Sequence, residues 1–214
     1  MRKIFLKSAG MEAVINTAPG YRVFEYLLVL RPHVELQGRI LQLKQEFAEK
    51  YKTGDGGRGN AWVPLVHFSQ FAMMEDRIVN RLQKVAMGFP PFKAELKDYG
   101  SFPSHTIYIK VLSKVPVQQL LRGIRTETQR LMKMNEEHKP HFMMEPHITL
   151  ARKLQSGQYE KGWSEYSHRH FTGRFIAESM TLMRRPEGEM KYQPLQTFSF
   201  QNLPVQTKQG DLFG

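Results

Sequence analysis

Residues 23–30, VFEYLLVL, form a continuous apolar run of strand length, broken by Arg31-Pro32-His33. Leu36, Ile40, Leu43, Phe47 and Tyr51 then recur at steps of three and four. That spacing puts them on one face of a helix over about 34–51. The glycine-rich stretch KTGDGGRGN, 52–60, ends it. WVPLVHFSQF, 62–71, reads as a strand, with Pro64 favouring an edge or a bulge. EDRIVNRLQKVAM, 75–87, reads as a helix, apolar at Ile78, Leu82 and Val85 and acidic in its first turn, as the helix dipole favours. PFKAELKDYG and HTIYIKVL follow as two strands joined by SFPS.

The second half repeats the plan. Val117, Leu120, Leu121, Ile124, Leu131 and Met132 mark a helix over about 117–134. The loop NEEHKPHF leads to a strand, MEPHITLAR, and a polar stretch around Trp163 follows without clear periodicity. Two strands, RFIAESMTLMRR (174–185) and KYQPLQTFSF (191–200), flank the turn PEGE. The order helix, histidine strand, connector, strand pair thus occurs twice. Such duplication predicts two similar α+β lobes facing each other.

Length and composition narrow the class. A chain of 214 residues, 41% apolar and 24% charged, can bury one sizeable core. No stretch of 18 apolar residues predicts a membrane span. The N-terminal stretch MRKIFLKSAGMEAV is too short and interrupted for a secretory signal, and a cytoplasmic protein is the simplest reading. With no cysteine, the chain has no disulfide, thiol nucleophile or thiolate metal site. Lys and Arg number 31 against 20 Asp and Glu, a net charge of +11. That balance suits a polyanionic partner, nucleic acid above all.

Side chains alternate across a strand, so residues two apart share a face. His67 and Ser69 share one, with Val66 and Phe68 opposite; His147 and Thr149 share another, with Ile148 and Leu150 opposite. Each strand therefore presents an imidazole and a hydroxyl together, backed by apolar packing. The two stand at equivalent places in the two halves. His105 begins the apolar face of Ile107, Ile109 and Val111 and reads as structural. HKPH (138–141) and HRH (168–170) lack acidic or cysteine partners at metal-ligand spacing and read as loop histidines, so no metal site is expected. Glu75 and Glu145 are candidate supporting carboxylates or surface residues.

These motifs resemble the two-histidine phosphoesterase superfamily, named for two His-x-Thr/Ser motifs in two related lobes. PHITLAR is close to the form in LigT-like proteins, the 2'-5' RNA ligase and cyclic phosphodiesterase group. VHFSQF departs from the commoner form, with Ser69 at the hydroxyl position and Gln70 where leucine is frequent. The resemblance spans about 23–200. It implies two pseudo-symmetric lobes of antiparallel sheet, helices outside, and an active-site cleft between them. It also implies action on a 2',3'-cyclic phosphate or a 2'-5' phosphodiester of RNA ends or nucleotides. His67 and His147 would be the acid and base, in an order the sequence leaves open, with Ser69 and Thr149 donating to phosphoryl oxygens. No cofactor is required, and the reverse reaction would join RNA ends without ATP.

Arg152 is a candidate phosphate ligand or strand-end cap. Tyr108, Tyr192 and Phe71 are candidate base-stacking rings. Arg58 sits in a loop that could meet phosphate or merely connect, and that lacks the ending of a P-loop. The expected organisation is an extension (1–22), the bilobal domain (23–200) and a tail (201–214). In the tail, Gln209, Leu212 and Phe213 lie in QGDLF, which resembles the short peptide that binds the replication sliding clamp. A non-catalytic RNA-binding protein and an adaptor recruited through that tail are the alternatives to an enzyme.

Overall fold

The computed structural model describes residues 20–54 and 59–204. Arg58, Gln209, Leu212 and Phe213 lie outside the described residues. Nine strands and four α-helices are described: β1 (Val23–Leu30), α1 (Val34–Tyr51), β2 (Val63–Phe71), α2 (Glu75–Gly88), β3 (Phe92–Phe102), β4 (Thr106–Val111), α3 (Lys114–Met132), β5 (His141–Phe142), β6 (His147–Ala151), α4 (Ser156–Tyr166), β7 (Thr172–Ala177), β8 (Ser179–Pro186) and β9 (Gln193–Ser199). They build two antiparallel sheets, ordered β5-β2-β1-β8-β9 and β6-β4-β3-β7. The fold is α+β, as the repeat predicts.

The duplicated unit is strand, helix, histidine strand, helix. In one copy β1 pairs with the His67 strand β2; in the other β4 pairs with the His147 strand β6. Helices α2 and α3 cover the five-stranded sheet, and α1 and α4 cover the four-stranded one. Phe68 packs among buried residues while Gln70, also buried, donates to the Leu131 carbonyl at the end of α3, at 2.8 Å. The polar residue in the leucine position is thus a tie between sheet and helix. Because Phe68 and Gln70 face the helices, His67 and Ser69 face away from them. The same alternation buries Ile148 and Leu150 and turns His147 and Thr149 the other way.

Local chemistry sets the helix ends. The His33 ring accepts from the Leu36 amide at 3.4 Å, capping α1, and Lys52 closes it in a left-handed turn, φ 51°. Helix α3 begins at Lys114, before the expected start at 117, because Pro116 is tolerated in a first turn where its missing N–H costs nothing. Helix α4 occupies the stretch that shows no clear period. Gly157 and Gly162 weaken its pattern, whereas a reciprocal cap between Gln155 and Gln158 starts it.

Gly162 is there for contact. A Cβ at this position would meet the Phe47 ring at 2.8 Å and Ile107 at 3.3 Å, both fully buried. Gly162→Ala is therefore expected to destabilise the fold by about 1–3 kcal/mol despite alanine's better helix propensity. Urea unfolding checks it, and a stabilised variant would refute the packing argument.

The strand expected over 174–185 is two. Glu178 separates β7, which pairs with β3, from β8, which pairs with β1. Burial alternates through Phe175 and Ala177, lapses at Glu178 and Ser179, and is unbroken from Met180 to Met183, so one apolar stretch conceals a crossing between sheets. Beyond β9, Phe200 is buried against Phe89 and Phe92. The backbone of Gln201, Asn202 and Leu203 then bonds to the carbonyls of Ala86, Phe89 and Met87. The first residues of the expected tail thus lie along the end of α2. No helix among the described residues is long and apolar enough to cross a membrane.

Candidate functional site

The two histidine strands meet where the sheets meet: β2 and β6 approach within 8 Å between Cα atoms. Each presents its imidazole and hydroxyl on the face away from the helices. Neither Ser69 nor Thr149 has a hydrogen-bond partner for its hydroxyl among the described residues, so both can donate to a ligand.

On the five-stranded sheet the register lines up two rows. Ser69 stands opposite Glu25, and Glu25 opposite Arg185. One step along, His67 stands between Leu27 and His141. Glu25 Oε2 lies 3.8 Å from His67 Nε2. The same oxygen accepts from Arg185 Nε at 2.7 Å, from Arg185 Nη2, and from the Tyr192 hydroxyl at 3.4 Å. The Arg185 guanidinium also lies over the Tyr192 ring, 4.4 Å from its centroid. Burial is the main force lowering the His67 pKa below its ordinary 6.5; Arg185 and His141 add to it and Glu25 opposes it. Burial likewise pushes the Tyr192 hydroxyl up to about 12.

His147 has different neighbours. Its Nδ1 donates to the Glu145 carbonyl at 2.7 Å. Its ring lies 4.8 Å from Tyr108 and 5.2 Å from Phe102, and those two rings are 4.7 Å apart. Gly100 makes the Tyr108 position available, since a Cβ there would come within 2.6 Å of the phenol ring. Lys110 stands opposite His147 on β4. Burial lowers the His147 pKa, and its bond to the Glu145 carbonyl opposes that.

The remaining expected residues divide. Tyr108 lines the site. Tyr192 reaches it too, but as a support for Glu25 with one ring face under Arg185. Arg152 is exposed just past β6, and its charge bears on the hydroxyl of Tyr192, which immediately precedes β9 of the other sheet. Phe71 ends β2 edge-on to Tyr21, with centroids 6.2 Å apart. His105 is not part of the apolar face expected for it: it is exposed in the turn before β4, which begins at Thr106. His170 and Thr172 repeat the His-x-Thr spacing, yet His170 pairs with Asp98 at 3.2 Å. The Glu145 carboxylate pairs with Lys114. Glu75 lies behind the sheet, taking bonds from Tyr26 at 3.0 Å and Arg184 at 2.8 Å.

Sequence reading does not reach Glu25, Arg185, His141 or Phe102. Glu25 and Arg185 do carry a signal. A charge inside VFEYLLVL needs a partner once that strand is packed, and two arginines end an apolar strand at 184–185.

A family model described as the 2'-5' RNA ligase superfamily matches residues 32–189. No curated protein matches the sequence. Among solved structures, Escherichia coli LigT complexed with 3'-AMP is 17% identical, with a TM-score of 0.58 over 83% of this chain and 98% of that one. LigT complexed with NADP+ gives 18% and 0.56, over 84% and 99%. TT0787 of Thermus thermophilus gives 18% and 0.53, over 83% and 98%. At these identities the structural likeness speaks for the fold.

Proposed function

The chain belongs to the 2'-5' RNA ligase superfamily, and from that premise we propose that it is a metal-independent phosphoesterase that opens 2',3'-cyclic phosphates or 2'-5' phosphodiesters of RNA ends or nucleotides. Family and fold support a paired-histidine enzyme of the LigT type. The observation that carries the finer reading is the meeting of two His-x-Ser/Thr strands, one from each copy of the repeat, along β2 and β6.

In-line displacement at phosphorus needs a proton taken from the attacking oxygen and one given to the leaving oxygen. Two imidazoles on opposite sides of the phosphate supply both. Ser69 and Thr149 donate to the non-bridging oxygens as charge builds on them. Tyr108, with Phe102 behind it, offers a ring for a nucleobase. Arg152 adds positive charge at the rim. Run backwards, the same proton transfers join a cyclic phosphate to a hydroxyl without ATP.

The test is hydrolysis of a 2',3'-cyclic nucleotide and of a 2'-5'-linked dinucleotide by purified protein in EDTA. Turnover of at least one is expected; loss of turnover in EDTA would remove metal independence, and inertness toward both would overturn the substrate class. The pH profile follows from the site. Both imidazole pKa values are held below 6.5, so the acid loses its proton early as pH rises. The kcat/KM optimum is therefore expected below about pH 6.5. A bound phosphodiester anion favours the protonated imidazole, so the kcat profile is expected at higher pH than the kcat/KM profile.

A further inference from the structure

Building on the phosphoesterase reading, we propose that Glu25 is a positioning residue that keeps a proton on His67 Nε2, so that His67 is the general acid and His147 the general base. The assignment comes from what each ring faces. A carbonyl oxygen only accepts, so the 2.7 Å bond from His147 Nδ1 to Glu145 requires a hydrogen on Nδ1. The neutral ring then carries its lone pair on Nε2, the arrangement a base needs. At His67 the ring nitrogen that faces a carboxylate is Nε2, 3.8 Å from Glu25 Oε2. A carboxylate also only accepts, so it favours the hydrogen on that nitrogen. The gap exceeds hydrogen-bond length, so the proton is attracted there without being committed.

Glu25 is itself fixed. Arg185 holds it from β8 with two nitrogens, and the Tyr192 hydroxyl adds a third contact. The other charged or titratable groups facing His67 are Arg185 and His141, which both disfavour the imidazolium, leaving Glu25 as the group that favours it. Around His147 stand Lys110 on β4, Glu145 with its partner Lys114, and the Tyr108 ring.

The step balances without a further reactant. Water attacks phosphorus and gives a proton to His147 Nε2 as the new P–O bond forms. The bond to the ribose oxygen breaks, and that oxygen takes the Nε2 proton of the His67 imidazolium, which is left as a neutral ring. A phosphomonoester and a free hydroxyl result, and the imidazoles return to their starting states by exchange with solvent.

Nitrogen-15 NMR of the free wild-type protein reads the two tautomers without any need for turnover, so this assignment can fail separately from the activity. His147 is expected as the Nδ1–H form and His67 as the Nε2–H form. His67 found as Nδ1–H overturns the proposal. In Glu25→Gln the His67 titration is expected to move to lower pH while that of His147 stays in place. With it, kcat/KM measured well above the wild-type His67 titration falls about 3- to 10-fold, with little change well below the titration of the variant, both midpoints being read from the same NMR series. A loss equal at both pH values, or no movement of the His67 titration, would mean that Glu25 merely braces the sheet.

Discussion

Replacing His67 or His147 with alanine is expected to lower kcat on a 2',3'-cyclic nucleotide by about 10²–10⁴-fold, with KM changed far less. The reason is that each imidazole carries a proton transfer that occurs only as the phosphoryl bonds change. Neither substitution should cost the fold much. Both side chains lie on faces turned from the helices, and the strands that carry them are held by Val66, Phe68, Ile148 and Leu150 behind. Circular dichroism and thermal unfolding of each variant separate lost chemistry from lost structure. Retention of wild-type kcat by either variant, folded, would leave the paired site without its function.

The hydroxyls are expected to come next. Ser69→Ala and Thr149→Val should each lower kcat by about 10²–10³-fold if their hydrogen bonds strengthen as charge accumulates on the phosphoryl oxygens. The two changes act on opposite strands but on one phosphate, so their effects need not multiply. The split between kcat and KM is informative. A hydroxyl that binds substrate and transition state alike raises KM and leaves kcat in place. Steady-state kinetics on both variants checks this, and a pure KM effect would reassign Ser69 and Thr149 to ground-state binding. Stability should move by less than about 0.5 kcal/mol, since neither hydroxyl holds another part of the protein.

Much of the fold is legible because two periodicities alternate twice. Leu36, Ile40 and Phe47 declare α1, and the alternation around His67 and around His147 declares β2 and β6 together with the face each imidazole uses. The illegible parts have particular causes. Helix α4 is obscured by Gly157 and Gly162, the second needed for the approach of Phe47. The passage from β7 to β8 is obscured because apolar residues lie on both sides of Glu178, from Phe175 to Ala177 and from Met180 to Met183, with no glycine or proline between them to mark the change of sheets. Pro116 hides the start of α3, since a proline reads as a break although it fits a first turn.

Within the site, the near-sequence pairs are the legible ones: His67 with Ser69, His147 with Thr149. Glu25 and Arg185 are 160 residues apart, and only the pairing of β1 with β8 brings them together. His141 is similar. Its own surroundings in HKPH read as loop, and it gains significance from a two-residue strand that sets it opposite His67. Tyr192 shows the converse. The sequence offers it as a base-stacking ring, whereas its contacts with Glu25 and Arg185 give it a supporting part that a ring read in isolation does not announce.

Imidazoles from two different sheets are proposed to act on one phosphate as a unit. The most direct test is a double-mutant cycle on kcat with a 2',3'-cyclic nucleotide, using His67→Ala, His147→Ala and the variant carrying both. The double variant is expected to be little slower than the worse single variant, because removing either partner already breaks the concerted proton transfer. Effects that multiply, each single loss retained in full in the double variant, would show two independent contributions and contradict the paired site.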